Sequence, residues 1–448
     1  MKGFKFFFII FVLLIFITGL NAENLITYKL KNGLTVILYK KKGLPIVNVN
    51  VVYKVGCKDE HNGITGIAHM LEHMNFRGSK NFKDGFIEKF ITNNGGIENA
   101  TTSFDFTKYY VTINKKALPT ILKIYADNMH NLLIDNSKFQ KERNVVYQER
   151  LWRTDNSPDG YLYYTLNRIA YLEAPYRWTP IGFASDILHW SRDDVYNFYK
   201  KYYNPSNATL VIVGDFNIKK TKRLIKNSFG KIKGKKINFY FTKEPEQKGE
   251  RRVTLKFVSS NKKLAIAFHI PALSEYSTPV LDIITYMLFA RDNAILEKIL
   301  VREKKLASSV YGGNNERLHT GLFYVFATLN KGVEFKDVES IIYNEFEKLK
   351  NGKFSKEDFE LSKKRALIDY IYSKETVTSL GNMLSFYGGL GRLQYYKDYP
   401  SLIKNVTKKD IIEISRKYFN KSNRTVVELY PIEGKSINYT PPISGGIR

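Results

Sequence analysis

The chain has 448 residues, too many for one ordinary domain and suited to two or three. Hydrophobic residues at 44% and aromatics at 14% exclude a disordered chain and supply sizeable cores. The net charge of +27 comes from scattered lysines, so nucleic acid is not an expected partner, whereas proximity to a membrane surface is allowed.

At the N-terminus, Lys2 and Lys5 precede an apolar run over residues 6–20, and Leu20-Asn21-Ala22 offers a cleavage site. This is the anatomy of a signal peptide over residues 1–22. The run is shorter than the ~20 residues a spanning helix needs, so an uncleaved anchor is the lesser alternative. The expectation is an exported protein, periplasmic or secreted. One cysteine, Cys57, excludes an intramolecular disulfide and a cysteine-rich metal cage.

Residues 25–39 read as two strands around Asn32-Gly33, a hairpin turn signal. Residues 47–55 follow as a half-buried strand. Residues 62–78 then read NGITGIAHMLEHMNFRG, a helix with Thr65 as its cap and Gly78 as its stop. On that helix His69, Glu72, His73 and Phe76 share one face, while Ile67, Met70, Leu71 and Met74 share the other. Two histidines one turn apart can reach one metal ion, and Glu72 between them is placed to take the proton of a water that the metal activates. A hydrolytic metal needs a third protein ligand. The next candidate helix opens with Ser137 and Gln140 as a capping box and carries Glu142 and Glu149 on one face. Either glutamate can complete the site, the other then orienting a histidine. Spacing alone does not decide between them.

Further strands are expected at residues 107–113 and 208–213, then at 253–258, 264–269 and 321–329, with helices over 333–350 and 355–372. An exposed linker is expected over residues 231–252. Residues 194–211 (DVYNFYKKYYNPSNATLV) and 410–427 (DIIEISRKYFNKSNRTVV) align without a gap at an offset of 216. Each is a helix, a turn and a strand, as a duplicated domain would give. The second copy has no His-x-x-Glu-His; residues 281–290 carry no histidine.

With Glu149 lying 76 positions after His73, the sequence resembles the inverzincin metallopeptidases of the pitrilysin/insulinase family, most closely their short, processing-peptidase-like branch. The resemblance implies an α+β fold of two related α/β-layered half-domains forming a clam-like chamber. It divides the chain into a catalytic domain over residues 23–232, a linker over 233–252 and a non-catalytic, substrate-closing domain over 253–448. It implies His69, His73 and Glu149 as ligands of one zinc ion per chain, Glu72 as general base and Glu142 as supporting acid. Residues 95–102, through Asn99 and Ala100, resemble the strand to which an extended peptide adds. Gly182 and Asn204-Pro205-Ser206-Asn207 also match. In the second half Arg302 stands at the position of a substrate-binding arginine; its tyrosine partner is replaced by Ser308, with Tyr311 nearby. A glycine-rich run upstream is replaced by Ala290-Arg291-Asp292-Asn293. The implied function is an exported zinc endopeptidase acting on unfolded peptides, alone, as a homodimer, or with a related subunit. The competing reading is a catalytically idle scaffold or partner subunit.

Overall fold

The structure, a computed structural model, describes residues 24–290 and 293–434; the expected signal peptide, Arg291 and Asp292 lie outside the described residues. The strands among them gather into two sheets. The first holds β1 (Leu25–Lys29), β2 (Thr35–Lys40), β3 (Ile46–Tyr53), β4 (Ile97–Thr102), β5 (Thr107–Asn114) and β6 (Ala208–Gly214), in the order β1-β2-β6-β3-β5-β4. The second holds β7 (Arg251–Val258), β8 (Lys263–Ile270), β9 (Ala307–Asn315), β10 (Gly321–Leu329) and β11 (Arg424–Ile432), in the order β7-β11-β8-β10-β9.

The two sheets repeat one pattern. β2 runs parallel to β6, which is followed by antiparallel β3, β5 and β4. β7 likewise runs parallel to β11, followed by antiparallel β8, β10 and β9. The aligned repeat falls on equivalent places in this pattern. The helix Arg192–Tyr202 leads through a single turn into β6, and Lys408–Tyr418 leads into β11. All seven residues of β6 are buried, which is why it reads as an unbroken apolar run.

Helices of the first half are α1 (Ile67–Asn75), α2 (Phe86–Asn93), α3 (Leu118–Asn131), α4 (Asn136–Arg150), α5 (Pro158–Ala170), α6 (Ala184–His189), α7 (Arg192–Tyr202) and α8 (Ile218–Phe229). Those of the second are α9 (Ser277–Leu288), α10 (Phe335–Lys350), α11 (Lys356–Tyr372), α12 (Val377–Gly389), α13 (Leu393–Asn405) and α14 (Lys408–Tyr418). One face of each sheet packs on helices of its own half: Val49, Val51 and Ile212 against Met70, Leu71 and Met74 of α1, and Ile266 and Val426 against Ile283 and Ile284 of α9.

The other faces are covered by exchange. α12, from the second half, lies on Ile37, Val52, Val211 and Val213 of the first sheet. α5, from the first half, lies on Ala265, Ala267, Val427 and Leu429 of the second. α12 comes close because glycines face the sheet: a Cβ on Gly388 would stand 2.4 Å from Ile37, and one on Gly389 2.6 Å from Val52. Between the halves, buried Arg317 donates to Asn167 Oδ1 (3.0 Å) and stacks on Phe104 (3.7 Å). The linker, residues 231–250, has no helix or strand.

Candidate metal centre

The site begins with α1. Ile67, Met70, Leu71 and Met74 are fully buried, which fixes the helix's rotation and turns His69, Glu72 and His73 toward the edge of the first sheet. The cap expected at Thr65 is corrected: the helix starts from Gly66, and its first N–H groups are taken by buried Glu60, whose carboxylate accepts from Gly66 (2.7 Å) and Ala68 (2.9 Å). Thr65 instead donates its hydroxyl to Asp186 (2.6 Å). The cap expected at Ser137 on α4 is also corrected. Asp135, two residues earlier in extended backbone, accepts from the Ser137 and Lys138 N–H groups.

α4 aims its two glutamates at different atoms of α1. Glu149 Oε2 lies 3.3 Å from His73 Nε2 and 3.8 Å from His69 Nε2. Glu142 Oε2 lies 3.4 Å from His73 Nδ1, and its other oxygen pairs with Arg77 at 2.8 Å. With Nδ1 held by a carboxylate, His73 presents Nε2 to Glu149. Among the described residues, His69, His73 and Glu149 are the one group of three such side chains whose donor atoms all lie within 4.8 Å of one another. A tetrahedral zinc with bonds of ~2.0–2.1 Å spaces its ligand atoms ~3.3–3.4 Å apart, so this donor set fits that ion in chemistry and in spacing.

Burial, with the His73 charge, lowers the His69 pKa to about 4. Burial opposes protonation of His73 too, but Glu142 and Glu149 outweigh it and lift His73 to about 9. Burial likewise opposes ionisation of Glu149, yet its bond to His73 and the nearby cations bring it down to about 2. His73 and Glu149 therefore hold a proton between Nε2 and Oε2, at the place where a metal cation would sit instead. Burial raises Glu72 to about 6, against the pull of the hydroxyl of Thr102, which donates to Glu72 Oε2.

Among the described residues β4 is the edge of its sheet and pairs with β5 alone. Asn99 Oδ1 accepts the Ala100 N–H (2.7 Å), and Ala100 packs on the first core. Arg302 lies apart from this cluster, on the segment Glu297–Glu303 of the second half; it is exposed and donates to Asn293 (3.4 Å). Tyr311 is half exposed and stacks on Phe326 (5.2 Å). Sequence reasoning missed Glu60, Arg77, Thr102 and Arg153. Arg153 was within reach, standing four residues after Glu149 on a helix and pairing with it at 2.9 Å. Glu60 acts from a loop and Thr102 from the end of β4, at separations from α1 that carry no spacing signal.

The profile "Insulinase (Peptidase family M16)" matches residues 35–177, and "Peptidase M16 inactive domain" matches residues 189–366. The chain is similar to the zinc protease PqqE of Helicobacter pylori, 34% identical over 409 residues that cover 90% of this chain and 92% of the relative. It is 22% identical over 425 residues to a mitochondrial-processing peptidase subunit beta of Blastocladiella emersonii, covering 92% and 90%. The crystal structure of a protease from Helicobacter pylori superposes with a TM-score of 0.88 at 34% identity, covering 91% of this chain and 99% of that one. The chain belongs to the insulinase family, peptidase family M16.

Proposed function

We propose that this chain is an exported zinc endopeptidase that hydrolyses extended peptides, with one zinc per chain held by His69, His73 and Glu149. The observation that carries the reading is the convergence of two imidazole nitrogens and one carboxylate oxygen from α1 and α4 beside a free sheet edge. Zinc held there would polarise the scissile carbonyl and acidify the attacking water. Glu72 takes the proton of that water and returns it to the departing amine; a carboxylate lifted to about 6 by burial suits both tasks. Glu142 orients His73. The peptide lies along β4 as an added strand, beside Asn99 and Ala100.

Export rests on the apolar run over residues 6–20. Among the described residues no helix is long and apolar enough to cross a membrane. The half beyond the linker closes over the bound peptide, with Arg302 as its contact, and a second copy or a related subunit supplies the tyrosine that Ser308 replaces. The profile matched over residues 189–366 describes an inactive domain, which fits a second half without catalytic residues. An idle partner subunit would have no use for Glu72 between two intact ligands.

The test is metal analysis of the purified chain with a peptide-mixture assay, beside Glu72→Gln. The expected result is one zinc per chain, cleavage stopped by a chelator, and a variant that keeps its zinc but loses ~10²–10⁴-fold in turnover. Full turnover in Glu72→Gln, or a wild-type chain without zinc, refutes the proposal.

A further inference from the structure

On the strand that borders the cluster, one carboxylate makes no hydrogen bond or ion pair among the described residues. Glu98 lies on β4, and strand alternation puts it on the same face as Ala100 and Thr102. That face is the metal side. The Thr102 hydroxyl donates to Glu72, Ala100 packs on the core beneath α1, and a Cβ on Gly96, two residues before Glu98, would meet Ile91 of α2 at 2.8 Å. Glu98 is half-buried, and among the described residues it makes no hydrogen bond and no ion pair. Burial, and after it the charge of Glu88 on α2, pushes its carboxyl up to about 7. A half-buried carboxylate with a second carboxylate in its neighbourhood is costly to keep charged unless something cationic arrives.

We infer that Glu98 forms a subsite for a lysine or arginine side chain of the bound peptide, so that the preferred substrates are extended peptides with a basic residue at the position facing it. This rests on the peptidase reading above. A peptide added to β4 brings the residue opposite Glu98 to a Cβ separation of about 4.5–5.5 Å on the same face, within reach of an ammonium or guanidinium group. Glu98 stands four residues from Thr102, which marks the reacting end, and that is roughly 13 Å along the strand. The basic residue is thus a few positions from the bond that breaks. A glutamate there would make a third acid beside Glu98 and Glu88. The preference runs against the chain's net charge of +27, which by itself favours acidic peptides.

The experiment gives the zinc-loaded full chain a series of otherwise neutral peptides in which a single lysine, or a single glutamate, is moved through every position. One position is expected to favour lysine over glutamate by about tenfold or more in kcat/KM. In Glu98→Gln that ratio falls to about twofold or less, and in Glu98→Lys it inverts. The same scan, read as peptide binding to metal-loaded Glu72→Gln, reports the subsite without turnover. A profile indifferent to charge, or one unchanged in a Glu98→Lys chain that melts like wild type, overturns the inference and leaves the peptidase reading standing. A wild type that holds zinc but cleaves no peptide overturns that reading instead, and the binding scan then decides on Glu98.

Discussion

Arg153 Nε lies 2.9 Å from Glu149 Oε1, the oxygen of that carboxylate that does not face the imidazoles. Held by that oxygen, the carboxylate offers the cluster Oε2 alone. For a metal held as proposed, one contact rather than two would leave a coordination position for water, which hydrolysis requires. Arg153→Ala is therefore expected to retain zinc and to lose roughly tenfold in turnover per bound zinc. Kinetics at measured metal occupancy check this. Unchanged turnover would remove Arg153 from the account of the site.

Gly182 supports α1 from outside. Its φ is +76°, and a Cβ there would stand 2.3 Å from the Thr65 carbonyl oxygen, just before the helix begins. Arg150 of α4 donates to the Gly182 carbonyl, so one loop touches both helices that build the His69, His73 and Glu149 cluster. An alanine in this left-handed conformation costs about 1–2 kcal/mol before any clash is counted. Gly182→Ala is expected to lose about 2 kcal/mol or more of stability and to bind zinc more weakly, measured by urea unfolding and metal titration. A wild-type urea midpoint would mean that the loop has slack to give.

The exchanged helices make the halves depend on each other. Tyr240, in the linker, is 86% exposed, so a protease site inserted after it should be cut readily. The cut chain is expected to elute from gel filtration as one particle, because α5 and α12 each remain docked on the other half's sheet. Residues 24–240 expressed alone would expose Ile37, Val52, Val211 and Val213, each worth about 1.5–3 kcal/mol when buried, and are expected to aggregate. A monodisperse, folded N-terminal fragment would show that α12 is dispensable.

What the sequence made legible follows from local patterning. The hairpin at Asn32-Gly33, the buried run of β6, the two faces of α1 and the repeated helix-turn-strand all rest on periodicity within a few residues, whereas β3, expected half-buried, is buried on both faces because α12 covers the side that alternation assigns to solvent. β9, with its Gly312-Gly313 pair and exposed residues, has no such pattern, and it is the one strand of the second sheet not anticipated. The histidine pair was legible because both side chains sit on one face of one helix. The choice between Glu142 and Glu149 was not, since both share a face of α4. Only the packing of α4 on α1 aims one at the Nε2 atoms and the other at Nδ1. The exchange of α5 and α12 was invisible for the same reason: nothing within either helix specifies the sheet it covers, and that sheet lies on the far side of the linker.

His269 of β8 bonds through Nε2 to the Ala170 carbonyl at the end of α5 (2.8 Å), across the seam between the halves. It is 8% exposed, and burial, with the charges of Arg251 and Arg317, lowers its pKa to about 4 from the 6.5 of a free histidine. Between those two values the unfolded chain binds a proton that the folded chain refuses. The stability contributed by neutral His269 is thus complete above about pH 6.5 and is lost progressively as the pH falls toward 4. From pH 7.5 to pH 5 the loss due to this group is about 2 kcal/mol. His269→Gln, whose amide can still donate to Ala170, removes that component. The variant's urea-unfolding free energy should fall by about 2 kcal/mol less than wild type over the same interval. Equal losses in the two proteins would show that His269 charges in place, with water admitted to the seam.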